Sequence, residues 1–325
     1  MSYPVRPMNW FQREMGFREE DPDQVRANLA LEGEEIVSRV NGGRLGCGRL
    51  ELPSLAELRA ADSSASTAAC TVAEVIGDVT ALHRDPGNAG ALFQVASQFN
   101  LLEMVGPSVT PEQGVGIYDQ DRTQGPACAI ACGGGTIYRN YFLPFLDGVG
   151  QTAERQVDCL ADLEAELGPG LWRMQNGYAL ATEAGLREIG ARLAGSDAAE
   201  RDRLRGLLRV GLHHDVEVLG AGHRVTQVYG SALPVAYGRL PSRLWEPFAR
   251  LVLEASYEAT LRAARTTGAA TVFLTYLGGG AFGNDEAWIA EAIGHALDRV
   301  GGLDVRLVSY GRPSGVAGVV LHGRN

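Results

Sequence analysis

The chain has 325 residues, which is room for one large domain or two ordinary ones. Its 45% apolar and 21% charged residues are those of a globule with an ample core, which excludes disorder and fibrous repeats. Basic residues number 29 against 39 acids, a net charge of −10, so a broad phosphate-tracking surface for nucleic acid is not expected; all the basic residues are arginine, which removes a Walker lysine, a Schiff-base lysine and a pyridoxal-phosphate anchor.

Residues 1–20 carry charges throughout and have no apolar core run, so no signal peptide is expected. No stretch approaches the length of a membrane span either, and a cytoplasmic protein without membrane or nucleic-acid partners is the expectation. Cys47, Cys70, Cys128, Cys132 and Cys159 are few and odd in number, which argues against a disulfide framework, and no further His or Cys completes a zinc site around Cys128 and Cys132. Residues 1–65 read as a helical N-terminal extension. Within it Asp21-Pro22-Asp23 supplies a cap, a first-turn proline and a first-turn acid, and Pro53-Ser54 opens a second helix.

An α/β domain is predicted over 66–325. Strands are predicted over 71–76 and 91–96, a short helix over 126–132, and a mostly helical insertion over 150–215, broken by the turn Gln175-Asn176-Gly177-Tyr178. The last third alternates most clearly. Strands at 225–229 and 233–236 precede an amphipathic helix over 245–265, a strand over 271–277, a helix over 284–300 and a strand over 305–309. Alternation of this kind gives a mixed, largely parallel sheet covered by helices on both faces.

Between the 271–277 strand and the next helix lies Gly278-Gly279-Gly280-Ala281-Phe282-Gly283. Backbone amides in such a loop, with a helix start behind them, suit a diphosphate; the alternative is a tight strand–helix turn without a ligand. A dinucleotide-dehydrogenase fingerprint does not fit, because the following strand ends at Ser309-Tyr310 without a ribose-binding acid. Upstream, Gly77-Asp78-Val79-Thr80 follows a strand, Gln94 to Asn100 runs from a strand into a polar turn, and Gly133-Gly134-Gly135-Thr136 supplies a second glycine run.

In this order the set resembles the macrodomain family, across residues 71–143 and 225–310. The resemblance implies a three-layer α/β/α fold that binds ADP-ribose, with no cofactor besides ADP-ribose itself as substrate or product. It implies that Asp78, with Val79 beside it, receives the adenine amino group; the alternative is an Asx turn or helix N-cap. It places Asn100 and Gln98 at the distal ribose, with a simple turn role for Asn100 as the alternative. It places the diphosphate between Gly133, Gly134, Gly135 and Thr136 on one side and Gly278, Gly279, Gly280, Ala281, Phe282, Gly283 and Asn284 on the other. Phe282 would flank the ribose unless it is a core residue, and Tyr310 would stack on adenine.

The segment Tyr118-Asp119-Gln120-Asp121-Arg122-Thr123-Gln124-Gly125-Pro126 resembles the catalytic loop of a divergent branch that includes arginine-directed ADP-ribosyl hydrolases. Hydrolysis at C1″ passes through an oxocarbenium-like state, for which two carboxylates with split roles are suited. Asp119, Asp121 and Asn100 are therefore the expected catalytic residues, with Arg122 and Thr123 as ligand contacts; a solvated acidic turn is the alternative for the loop. The expected activity is an ADP-ribosyl-acceptor hydrolase acting on an ADP-ribosylated protein, with arginine as a candidate acceptor. A non-catalytic ADP-ribose reader and a hydrolase of poly(ADP-ribose) or a small ADP-ribose derivative are the alternatives. His213, His214 and His223 lack the spacing of a metal site or a Ser/His/Asp set, and no G-x-S-x-G elbow occurs.

Overall fold

Strands buried along nearly their whole length need cover on both faces, and Leu92–Ala96 and Arg224–Gly230 are buried in this way. In the computed structural model, which describes residues 7–62 and 68–323, they lie at the centre of a seven-stranded sheet. Its order is Arg49–Glu51, Gly211–Glu217, Arg224–Gly230, Leu92–Ala96, Thr271–Leu274, Asp304–Ser309, Thr71–Ile76. The last five run parallel, and the Gly211–Glu217 strand is antiparallel to both of its neighbours.

Consecutive residues show the two covering layers. Phe93 stacks on Phe273 and on His83 of the Val79–Arg84 helix, with centroids 4.4 and 3.8 Å apart. The next residue, Gln94, donates to the Thr260 hydroxyl of the long Ser242–Thr267 helix on the other face, at 2.8 Å. The Gln124–Ala131 helix packs beside Val79–Arg84, whereas Glu286–Arg299, Leu55–Ala61, Glu183–Gly195 and Ala198–Gly206 pack against the long helix. This is a three-layer α/β arrangement. Cys47, Cys128, Cys132 and Cys159 are free thiols, and among the described residues no helix is long and apolar enough to cross a membrane.

Several elements differ from expectation. The N-terminal region holds the helices Trp10–Met15 and Pro22–Asn28, the latter capped by Asp21 as expected. It also carries a three-stranded antiparallel sheet, Leu29–Glu32, Glu35–Ser38 and Arg44–Gly46. Arg49–Glu51 joins the edge of the central sheet, so residues 1–65 are more than a helical extension. Residues 233–236 form no strand. Pro234 cannot donate to a ladder, and Ala236 N–H bonds the Phe282 carbonyl instead. The Gly133–Ile137 segment is helix rather than loop, and the Gly211–Glu217 strand starts inside what reads as the end of the helical insertion. The insertion also contains a hairpin, Trp172–Gln175 with Tyr178–Ala181. Its two-residue turn, Asn176-Gly177, has both φ angles positive (47° and 78°), the combination that suits strand twist.

Candidate active site

Ligands of open parallel sheets collect outside the carboxyl ends of the strands, where neighbouring strands send their connections to opposite sides. Leu92–Ala96 and Thr271–Leu274 are such neighbours: the first leads toward Gly211–Glu217, the second through Glu286–Arg299 to Asp304–Ser309. Two cavities open at this point and share Thr123, Gln124, Thr275, Tyr276 and Gly280. One, of about 340 Å³, extends to Asp78, Val79, Arg122, Gly279 and Tyr310. The other, of about 230 Å³, extends to Gln98, Glu103, Asp121, Ala281 and Phe282. Together they form one cleft.

The waist of the cleft is a loop and a helix start facing each other. Gly278 and Gly283 have φ of +71° and +70°, so the loop closes only with glycine at these two positions. Asn284, buried behind it, donates to the Leu233 carbonyl at 2.8 Å and to that of Gly278 at 3.4 Å, fixing the loop from the rear. The amides of Gly280, Ala281 and Phe282 donate to no other described residue. Opposite, the Gln124–Ala131 helix begins with Gln124 and Gly125 amides that donate to no described residue. A Cβ on Gly125 would overlap the Ala96 carbonyl, so glycine lets this helix start close against the strand end. Free amides from two directions, with helix partial charge behind them, make a slot for an anion.

The distal end is built by a tight turn after the Leu92–Ala96 strand. Gln98 accepts from the Met104 amide at 2.8 Å and Leu101 has φ +65°, a conformation bulky residues rarely adopt. The turn delivers Glu103 into the cavity, only 2% exposed. Neither carboxylate oxygen makes a geometrically sound hydrogen bond to a described residue, although the Tyr118 hydroxyl, which accepts from the Glu103 amide at 3.1 Å, lies close by. Burial pushes the Glu103 carboxyl up to about 8, against an opposing pull from Arg139. Asp121 shares the cavity and accepts from the Thr123 amide at 2.8 Å. Tyr178 from the insertion hairpin, Tyr237 and Phe282 close one wall, with ring centroids 5.2, 5.3 and 5.7 Å apart.

Of the residues singled out from sequence, the cleft brings together Asp78, Val79, Gln98, Asp121, Arg122, Thr123, Gly278, Gly279, Gly280, Ala281, Phe282 and Tyr310. Asp78 meets its alternative as well: Oδ1 caps the Val79–Arg84 helix through the Thr80 and Ala81 amides at 2.7 and 3.3 Å. Gly283 and Asn284 complete the loop from behind without lining either cavity.

Three expectations are corrected. Asp119 does not join Asp121, because the intervening 3₁₀ turn aims it away from the cleft. There its carboxylate accepts from the Trp10 amide at 2.6 Å and faces Arg13 at 3.7 Å. Asn100 is fully buried beneath the insertion hairpin, accepting from the Leu102 amide at 3.1 Å and donating to Gln156 at 2.9 Å. Gly133, Gly134 and Gly135 lie inside a buried helix, where a Cβ would strike Trp10, the Gly46 carbonyl and His213; Thr136 donates to the Ala129 carbonyl at 2.6 Å. These four residues are packing, not the second half of a phosphate clamp. Glu103, Tyr178 and Tyr237 line the cleft unanticipated. The one signal in the sequence was an acid set within the apolar run Leu101-Leu102-Glu103-Met104-Val105.

No family model matches the chain, and no curated protein matches it. Similar folds occur among solved structures. The poly(ADP-ribose) glycohydrolase of Deinococcus radiodurans in complex with ADP-ribose is 14% identical, with a TM-score of 0.46 over 84% of this chain and 93% of that one. The poly(ADP-ribose) glycohydrolase of Thermomonospora curvata is 15% identical, with a TM-score of 0.46 over 93% and 97%. The latter protein bound to the inhibitor ADP-HPD is 16% identical, with a TM-score of 0.45 over the same shares.

Proposed function

We propose that this chain is a hydrolase that binds ADP-ribose along the cleft and cleaves the bond at C1″ of the distal ribose. The observation that carries the reading is a buried acid, Glu103, whose carboxylate has no hydrogen-bond partner among the described residues, at one end of a continuous cleft whose waist is an amide-lined anion slot. The adenosine would lie toward Asp78 and Tyr310, where the uncommitted Asp78 oxygen can accept from an exocyclic amine. The diphosphate would sit on the Gly280, Ala281 and Phe282 amides, and the distal ribose beside Glu103, Gln98 and Asp121.

A carboxyl that stays protonated near neutral pH is suited to general acid catalysis. Glu103 gives its proton to the leaving oxygen as the C1″–O bond breaks. Water adds to the oxocarbenium-like centre, with the Asp121 carboxylate placed to orient it, and the released proton returns to Glu103. The arginine-linked acceptor rested on the likeness of the 118–126 tract to one branch, and Asp119 of that tract points away from the cleft. One buried acid favours an oxygen-linked ADP-ribosyl group instead, whether on a protein side chain or between units of poly(ADP-ribose). A pure reader has no use for an unpaired buried carboxyl, which costs stability as it ionises.

The test is calorimetry with ADP-ribose followed by product analysis on mono-ADP-ribosylated protein and on poly(ADP-ribose). Binding together with release that disappears in Glu103→Gln supports the proposal. Absence of ADP-ribose binding, or full turnover in Glu103→Gln, overturns it.

A further inference from the structure

Arg139 is fully buried near the start of the helical segment Tyr138–Phe142, and it has no carboxylate hydrogen-bond partner among the described residues. Nε donates to the Leu101 carbonyl at 3.0 Å, and Nη2 to the Thr136 hydroxyl at 3.1 Å. Nη1 lies 3.2 Å from His213 Nδ1, and the guanidinium carbon sits 3.6 Å from the centroid of the Tyr229 ring. Burial, with the guanidinium beside it, holds His213 neutral, so the ring accepts from Arg139 and does not share its charge. A permanently charged group held by neutral partners in a dry site is costly unless a compensating charge forms nearby. The groups that interact electrostatically with Glu103 are Tyr118, Tyr229, Cys128 and Arg139, and Asp121 lines the same cavity. Burial raises the two phenols and the thiol, which therefore stay protonated and uncharged. Arg139 is the cation of this set.

We propose that Arg139 is the positioning residue for Glu103: its Nε–H fixes the Leu101 carbonyl of the strained turn that aims Glu103, and its charge receives the carboxylate left when Glu103 has protonated the leaving oxygen. The inference rests on the hydrolase reading for its catalytic meaning, while its physical core, a coupling between two buried groups, stands without substrate. Before proton transfer the site holds one cation and a neutral acid; after it, a cation and an anion. The arginine thus interacts more strongly with the state that follows proton transfer than with the ground state, which is the property that lowers a barrier.

The coupling is measured without ADP-ribose. The side-chain ¹⁵N resonances of Arg139 are followed from pH 5 to 10 in the wild-type chain and in Glu103→Gln. They should move with one midpoint in the wild type and stay flat in the variant. Arg139→Gln, followed through the pH dependence of unfolding with and without Glu103→Gln, should raise the Glu103 midpoint by about one pH unit, a tenfold gain in proton affinity. In turnover, Arg139→Gln should shift the alkaline limb upward by the same amount. Arg139→Lys should keep the limb in place but lower kcat about tenfold with KM unchanged, because an ammonium cannot span Leu101 and Thr136 together. Arg139 resonances that ignore the Glu103 titration would overturn the inference even if Arg139→Gln failed to fold. If ADP-ribose does not bind but the coupling is present, the functional reading fails and this inference survives.

Discussion

Two triple-glycine runs occupy similar places in the sequence pattern and opposite places in the molecule. Gly133-Gly134-Gly135 lies in a buried helix, where the missing side chains let Trp10, the Gly46 carbonyl and His213 approach. Gly278-Gly279-Gly280 lies in a loop with a positive φ at Gly278, and a Cβ on Gly280 would meet nothing. The first run uses glycine for volume, the second for conformation and an open amide. A glycine motif alone says that no side chain is tolerated; only its surroundings say whether protein or ligand fills the space.

The comparison can be sharpened by substitution. The largest effect is expected at the acid that the second run faces across the cleft: Glu103→Gln should lower turnover about 10²–10⁴-fold with ADP-ribose affinity little changed. At the first run, Gly134→Ala places a Cβ 2.6 Å from the Gly46 carbonyl oxygen, a backbone atom that cannot move aside. It should cost about 1–3 kcal/mol in urea unfolding with the affinity of the folded protein preserved. Gly280→Ala should do the reverse, leaving stability within about 0.5 kcal/mol and weakening ADP-ribose binding about tenfold by crowding the amide slot. Equal effects of the two alanines on binding would erase the distinction drawn between the runs.

Smaller effects follow from the acids. Because burial raises the Glu103 carboxyl to about 8 from an ordinary 4.5, the fold favours its protonated form. That contribution is fully present below about pH 4.5 and is lost as pH rises through about 8. Glu103→Gln should therefore gain stability over the wild type between pH 5 and pH 9, and a constant difference across that range would contradict the burial argument. Asp119→Ala should loosen the N-terminal helix by about 1 kcal/mol yet leave turnover within about threefold, unlike Asp121→Ala, which should impair it. Tyr310→Ala should weaken ADP-ribose binding by about threefold, since this ring is largely exposed.

Much of the frame was legible in the sequence because hydrophobic runs and turn signals are local. The Thr71–Ile76, Leu92–Ala96 and Asp304–Ser309 strands, the long helix and the second glycine loop all fall within a few residues of expectation. The Asn176-Gly177 turn was also legible, for the same reason. The distal site was not, because its acid is defined by burial, and burial is set by segments far apart in the chain. Glu103 becomes an acid of raised proton affinity only once the fold buries it, against the opposing pull of Arg139 and Tyr118. Asp119 and Asp121 look like a pair on paper, and a single 3₁₀ turn sends them to different partners. The docking of the N-terminal region is hidden from the sequence for a related reason: the Trp10 amide and Glu19 grip the 115–119 segment at a sequence distance no local pattern reports.

The most direct measurement is a crystal structure of the Glu103→Gln protein soaked with an uncleaved ADP-ribosyl substrate. The account predicts the diphosphate on the amides of Gly280, Ala281 and Phe282, the adenine between Asp78 and Tyr310, and C1″ beside residue 103. A diphosphate bound elsewhere, or a C1″ turned away from residue 103, would contradict it.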